Sequence, residues 1–162
     1  MNKIVPNLWF NNCAKEAAEY YVSVFPNGKI LNKDYYTAIG EETTGHKEGE
    51  IVTVEFEIMD THFVAINAGP EFIFNPSVSF MVICNSQEEI DYYWGKLSHY
   101  KEAEQCGWAK DKYGLSWQIV PKQLREMLEN GNEEQRKNVT DVFMQMKKFD
   151  IDKLEKAYRK NE

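Results

Sequence analysis

The stretch 106–121, CGWAKDKYGLSWQIVP, decides the fold, because it predicts two strands joined by a tight turn. Residues 111–114 are predicted to form the turn, and Gly114 supplies the positive φ angle that closes such a loop. Residues 107–110 are the incoming strand and residues 116–120 the outgoing one. Pro121 has no N–H to give to a ladder, so it ends the strand and suits the first position of a helix.

Alternation along the outgoing strand makes Gln118 a residue of interest. Ser116, Gln118 and Val120 fall on one face, and Trp117 and Ile119 fall on the other. Gln118 is therefore an amide among apolar neighbours. It is either a satisfied polar residue at the margin of a sheet or a residue that faces a ligand cavity.

Composition sets limits on the class of protein. The chain has 162 residues, of which 43% are hydrophobic and 14% aromatic, enough for one domain or for two small modules that share a core. Its 19 basic and 26 acidic residues give a formal charge of −7 without a basic block, which disfavours nucleic acid as a partner.

Cysteine usage and hydropathy predict a cytoplasmic protein without a membrane contact. The three cysteines form no CxxC pair, which suits a reducing compartment: Cys13, Cys84 and Cys106. The first ten residues lack the apolar stretch of a signal peptide, and no run approaches the roughly 20 apolar residues of a membrane span.

The chain reads as the same series of elements twice. Residues 3–10 predict a strand, Asn12 caps a helix that ends at Pro26, and strands follow at 29–37, 50–59 and 62–67, with a polar loop at 40–49. Residues 77–83 begin a second series, in which Ser86 and Glu89 form a capping box. Each half then predicts a strand, a helix and three strands, at an offset of 72 residues.

A unit of this kind repeated twice resembles the vicinal-oxygen-chelate superfamily of glyoxalase, bleomycin-resistance and extradiol-dioxygenase proteins. The segments PNLWFNN (6–12), AEYYVSVFPN (18–27), NAGP (67–70) and above all 106–121 resemble its PhnB-like branch, which is often labelled 3-demethylubiquinone-9 3-methyltransferase-like. The resemblance covers residues 3 to about 158. It implies an α+β protein whose two βαβββ modules form a curled mixed sheet around a cavity.

The expected organisation has four parts. They are a first module over 1–68, a linker over 69–76 with its Gly-Pro and Asn-Pro pairs, a second module over 77–120, and a helical tail over 121–162. The tail carries more apolar side chains than a solvated segment would keep: Met127, Phe143, Met144, Met146 and Phe149. Members of the superfamily commonly pair their modules between chains, so the resemblance implies a homodimer.

The methyltransferase label says little about chemistry. The chain has nine glycines and no GxG, so the glycine-rich turn typical of a nucleotide-binding methyltransferase fold is missing. Catalytic residues therefore stay unassigned.

A set of side chains is expected to line the cavity. If Asn7 faces it, so does Trp9; if Ser79 does, so does Met81; the full candidate set is Asn7, Trp9, Phe63, Asn67, Ser79, Met81 and Gln118. Apolar walls with a few amides and hydroxyls suit a small apolar or aromatic molecule. The alternative is that Trp9, Phe63 and Met81 are simply core residues.

The resemblance also implies where a catalytic metal would sit. The superfamily pattern places the four ligands at Asn7, Ala65, Ser79 and Gln118, none of which offers an imidazole or a carboxylate. We therefore expect no catalytic metal and no other cofactor, with His62 and Glu55 as the remaining, unorthodox metal ligands.

Three classes of function remain open. The chain is a protein that binds a small molecule without transforming it, or a metal-dependent lyase, isomerase or dioxygenase, or a dimeric interaction protein whose cavity is vestigial. The first class is favoured because the implied ligand positions hold amides and a hydroxyl, which are good hydrogen-bonding partners for a ligand carbonyl or hydroxyl.

Overall fold

A computed structural model describes residues 4–160, which form two compact units, one ending at Phe74 and the other beginning at Asn75. Unit 1 contains β1 (Asn7–Asn11), α1 (Ala14–Val24), β2 (Lys29–Tyr35), α2 (Ala38–Thr44), β3 (Ile51–Ile58) and β4 (Thr61–Ala68). Unit 2 contains β5 (Ser79–Cys84), α3 (Gln87–Leu97), a 3₁₀ turn (Lys101–Ala103), β6 (Trp108–Lys110), β7 (Ser116–Pro121), α4 (Lys122–Asn130), α5 (Glu133–Phe143) and α6 (Ile151–Tyr158). Lys3, predicted to begin the first strand, and residues 161–162 of the tail lie outside the described residues.

The sheet of unit 1 has the order β1-β4-β3-β2, with β1 parallel to β4 and the other pairs antiparallel. Helix α1 packs on one face of it. There the ring of Tyr21 stacks on Phe56 with centroids 5.9 Å apart, and Phe56 stacks on Phe63 at 5.3 Å. These three side chains are almost fully buried, so the apolar periodicity of α1 and β3 builds this core.

The start of α1 differs from the expectation. Asn12 was predicted to be the N-cap, but it has a left-handed backbone (φ 54°) and Cys13 takes the N-cap position without a capping bond from its side chain. The amide oxygen of Asn67 in β4 accepts a hydrogen bond from Ala14 N instead, at 3.1 Å. A residue 53 positions away thus satisfies one of the free amides of the first helical turn.

The predicted polar loop over 40–49 was wrong in its first half, which belongs to α2. Gly45 ends this helix with a left-handed backbone (φ 76°), a common helix terminator. His46 is not a freely solvated loop residue, because its ring stacks on Tyr36 with centroids 4.7 Å apart.

The sheet of unit 2 has the order β5-β7-β6, with β5 parallel and β6 antiparallel to β7. Three strands were predicted after α3, but two form among the described residues, and residues 101–103 make a 3₁₀ turn. Ser86 caps α3 as predicted by accepting from Glu89 N. The Glu89 carboxylate accepts a hydrogen bond from Asn85 N at 2.7 Å. A reciprocal capping box would require it to accept from the N-cap residue, Ser86, instead.

The hairpin between β6 and β7 forms at the predicted turn, and Gly114 has a φ of 89°. Asp111 is fully buried there. Its Oδ1 accepts from Tyr113 N at 2.9 Å and Leu115 N at 3.1 Å, and its Oδ2 accepts from Trp117 Nε1 at 2.8 Å. One carboxylate thus satisfies two turn amides and the indole of the outgoing strand, which is how a buried charge becomes tolerable.

The tail helices pack on one another and on the end of β7. Pro121 is the N-cap of α4 rather than its first helical residue. Cys106 and Gly107, both with positive φ, donate their amides to Met146 O and Lys147 O at 2.8 Å each. Within residues 4–160 no helix is long and apolar enough to span a membrane.

The α+β class and the repetition of strand–helix modules are confirmed. The strands are divided between two mixed sheets of four and three strands, so β1 and β5 do not share one continuous sheet. The smaller second sheet follows from the loss of one strand after α3.

Removing the Asp111 carboxylate is expected to destabilise the protein strongly. Asp111→Ala leaves two amides and an indole N–H without their acceptor in a buried site, which we expect to lower the free energy of unfolding by about 3 kcal/mol. Urea denaturation measures the change. Asp141→Ala, at an exposed site, is the matched control, and equal effects of the two substitutions would contradict this role.

Candidate functional site

Each sheet has a face that packs on its own helix, α1 or α3, and an opposite face that we call the far face. The far face carries the side chains that alternate with the core residues. The two far faces hold most of the residues predicted to line a cavity, and each is described by itself.

The far face of unit 2 brings three predicted residues together. Gln118 in the central strand β7 lies opposite Met81 in β5 and opposite Trp108 in β6. Ser79, one pair along β5, is on the same face. The other face holds Val82, Cys84 and Ile119, which are buried. The alternation predicted for β7 is therefore what the structure shows.

The Gln118 amide is held by Ser79. Gln118 Nε2 donates to Ser79 Oγ at 2.8 Å. Both residues are half-buried, and in the part of the chain that the structure describes, Gln118 Oε1 has no protein partner. An amide with one side fixed and its oxygen free is suited to hydrogen-bonding a ligand.

Trp108 belongs to this group, although the sequence analysis did not select it. It pairs with Gln118 in the antiparallel ladder and is half-buried. The signal was present, because a hairpin that turns at 111–114 places residue 108 opposite residue 118.

The far face of unit 1 carries Asn7 and Trp9, as the alternation predicted. Asn7 is exposed, and its amide donates to Val5 O at 2.9 Å. Trp9 is already engaged: Nε1 donates to Gly69 O at 2.9 Å, and its ring meets Phe72 edge-on with centroids 4.9 Å apart. Trp9 therefore anchors the segment that follows β4.

Two predicted residues lie on the opposite side of this sheet. Phe63 is 4% exposed in the stack against Phe56, so it is a core residue. The side-chain amide of Asn67 already has backbone partners, since it accepts from Ala14 N and donates to Ile51 O, both at 3.1 Å. The prediction that these two residues share a face with Asn7 and Trp9 was wrong. Side chains alternate along β4, and residues 63 and 67 are among those that point to the α1 side of the sheet.

In neither unit do the implied metal positions form a set of ligands. Ala65 is fully buried on the α1 side, so it does not share a face with Asn7. Ser79 and Gln118 are neighbours but offer only a hydroxyl and an amide. Within residues 4–160 no group of three or more His, Cys, Asp or Glu side chains could hold a metal ion. These residues do not fit the catalytic divalent metal of the superfamily.

His62 and Glu55, the unorthodox alternative, form a pair on the far face of unit 1. His62 Nε2 lies 2.9 Å from Glu55 Oε2, but the ring N–H is not aligned for a hydrogen bond. A single imidazole and a single carboxylate supply two ligands at most. The pair is a contact between the neighbouring strands β3 and β4 and does not form a set of metal ligands.

The face of the unit 2 sheet that packs on α3 is dry, since Cys84 on that face is fully buried. Burial, with a smaller contribution from Glu89, raises the pKa of Cys84 to about 12. Burial likewise raises the pKa of Tyr93 in α3. A thiol with such a pKa is protonated at neutral pH, so Cys84 is not a nucleophile.

Comparison with known proteins identifies the class. The family model described as 3-demethylubiquinone-9 3-methyltransferase matches residues 2–120. The PhnB protein from Bacillus cereus is 31% identical, has a TM-score of 0.60, and the match covers 74% of this chain and 99% of that chain. No curated protein matches the chain.

Two further structures are similar at lower identity. Protein PA1353 from Pseudomonas aeruginosa is 16% identical with a TM-score of 0.55, and 75% of this chain covers 98% of it. A lactoylglutathione lyase from Agrobacterium tumefaciens is 12% identical with a TM-score of 0.39, over 76% of this chain and 96% of its own; at that distance it carries no argument.

The fold, the family match and the Bacillus cereus structure together define a protein of the glyoxalase-like, vicinal-oxygen-chelate class. The chain belongs to the 3-demethylubiquinone-9 3-methyltransferase family, its PhnB-like branch. The family match ends at residue 120, so the helical tail lies beyond it, whereas the resemblance seen in the sequence was taken to reach about residue 158.

The raised pKa of Cys84 gives a direct test of the dry face. Because its pKa is about 12 rather than 9.0, thiolate is scarce at pH 8, and we expect native Cys84 to react with iodoacetamide far more slowly than in urea. Peptide mass spectrometry reads each cysteine separately, with the half-buried Cys106 as the internal comparison. Equal labelling of Cys84 in native and unfolded protein would show that the face is accessible.

Proposed function

We propose that this protein binds a small apolar or aromatic molecule in the cytoplasm, without a catalytic metal. The observation that carries the proposal is the group on the far face of unit 2. There Ser79 holds the amide of Gln118 between Met81 and Trp108, with the amide oxygen free. A site for a small molecule usually consists of apolar side chains with a few polar groups held in fixed positions among them.

The electrostatics of the site favour a neutral or weakly polar ligand over a metal ion. An amide and a hydroxyl do not offset the hydration that a divalent cation loses on binding. The name of the family is not carried over as an activity, because the chain has no GxG turn for a methyl-donor nucleotide. The proposal assigns binding to the modules over 1–68 and 77–120, joined by the linker over 69–76, and not to the tail.

A thermal-shift screen with a metabolite library tests the function. A ligand present at about 100 times its dissociation constant adds about 2.7 kcal/mol of stability, which raises the melting temperature by roughly 5–10 °C in a chain of this size. We expect one or more small apolar or aromatic compounds to do this. Gln118→Leu should reduce the shift, and Gln145→Leu, at an exposed site, should leave it unchanged.

The same screen contains the outcomes that oppose the proposal. Stabilisation by zinc, nickel, iron or manganese that is lost in Gln118→Leu or His62→Ala would favour a metal-dependent enzyme. A library without any stabilising compound would favour an interaction protein with a vestigial cavity.

The proposal includes a homodimer in which the tail takes part. Two of the apolar tail residues are buried within unit 2 and are not available for a contact: Met127 is 9% exposed and Phe149 is 2% exposed. Met144 is 54% exposed and remains available for a contact. The resemblance to a superfamily that pairs its modules between chains supports the same assembly.

Light scattering at micromolar concentration tests the dimer. We expect a mass of twice 19.0 kDa for the native protein. Met144→Glu places a charge in the expected contact and should shift the mass toward the monomer, whereas Glu129→Gln, an exposed position on α4, should not. A native mass of 19.0 kDa would refute the dimer.

A further inference from the structure

The far face of unit 2 is organised in rows of side chains across its three strands. The row Met81–Gln118–Trp108 places an amide between a thioether and an indole. The neighbouring row contains Ser79, Ser116 and Lys110. Ser116 is buried, so a ligand that lies on Gln118 meets apolar side chains to its left and right and the hydroxyl of Ser79 along one edge.

The polar groups in the central row are neutral and have capacity for both kinds of hydrogen bond. Gln118 uses one N–H for Ser79 Oγ, which leaves its second N–H and its Oε1. Because Ser79 Oγ accepts that bond, its own O–H proton is free to donate elsewhere. The complement of this arrangement is a group that carries a donor and an acceptor side by side, as a carboxamide does.

Lys110 places a cation on this face, in the row next to Gln118. Lys110 Nζ lies 5.1 Å from the centroid of the Tyr100 ring, in a cation–π contact. Lys110 also stands opposite Ser116, one row away from Gln118. Beside Gln118 a carboxylate would lose hydration and meet neutral groups, while the ammonium of Lys110 is turned to the Tyr100 ring in the next row, so a neutral amide is favoured over an acid.

Trp108 differs from the other two tryptophans that lie in the strands. Trp117 donates to Asp111 and Trp9 donates to Gly69 O, but among residues 4–160 the indole of Trp108 has no hydrogen-bond partner and no stacked ring. It is half-buried, and the thioether of Met81, across Gln118, is 49% exposed. Indole faces and thioethers both favour contact with aromatic rings.

From these observations we infer that the ligand class is the aromatic carboxamides: a flat ring against Trp108 and Met81, with its amide paired to Gln118 and Ser79. This assignment rests on the proposed function and narrows it to a chemical class. It also makes Trp108 a binding residue.

Three fragments separate the parts of this recognition: benzamide, benzoate and cyclohexanecarboxamide. Saturation-transfer NMR and titration calorimetry measure their binding to the full chain. We expect benzamide to bind about tenfold more tightly than benzoate, which lacks the amide donor and carries a charge. It should bind about threefold or more tightly than cyclohexanecarboxamide, which lacks the aromatic ring.

Matched variants assign the contacts. Gln118→Leu and Trp108→Leu should each weaken benzamide binding by about tenfold, whereas Trp108→Phe, which keeps a ring, should retain most of it. The controls make the same changes elsewhere: Gln145→Leu at an exposed position and Trp94→Leu at a half-buried one on α3. Circular dichroism verifies that each variant is folded.

The wild-type ranking decides the inference even if a variant does not fold. Benzoate binding as well as benzamide overturns the neutral amide, and cyclohexanecarboxamide binding as well as benzamide overturns the aromatic ring. If none of the fragments binds but the metabolite library yields a ligand, the chemical class is wrong and the proposed function stands. If neither set yields a ligand, both fail.

Discussion

The buried carboxylate of Asp111 is the interaction on which unit 2 depends. It accepts from two amides of the turn and from the indole of Trp117, so it fixes both the shape of the hairpin and the facing of β7. A slip of one residue would send Trp117 to the far face and Gln118 into the core. The position of the candidate site is thus set by a charge that is not itself part of it.

Most of the fold could be predicted from local patterns in the sequence. The turn at Gly114, the alternation of β7 and the Ser86 cap were predictable because each depends on neighbours in the sequence. The features that were missed depend on distant partners. Asn67 caps α1 across 53 residues, and no local signal marks that role. One of the three strands expected after α3 does not form among the described residues, and residues 101–103 make a 3₁₀ turn in the connection to β6.

The candidate site could be predicted where the sequence fixes which face of a strand each residue lies on, and the prediction failed where the sequence does not. Ser79, Met81 and Gln118 meet as expected because β5 and β7 are paired directly. Phe63 was misplaced because the parity of β4 relative to β1 depends on the register of a parallel pair, which alternation alone does not give. Trp108 could have been found by following the hairpin back across its turn, since antiparallel pairing fixes both strands at once.

The hairpin and the tail are joined by hydrogen bonds that cross the end of the family match. The family match stops at residue 120, yet the amides of Cys106 and Gly107 are satisfied by carbonyls of residues 146 and 147. A Cβ on Gly107 would clash with the Phe149 ring, so the glycine leaves room for the tail. The family match therefore ends inside a structural unit, because the segment beyond residue 120 supplies hydrogen-bond acceptors to the hairpin.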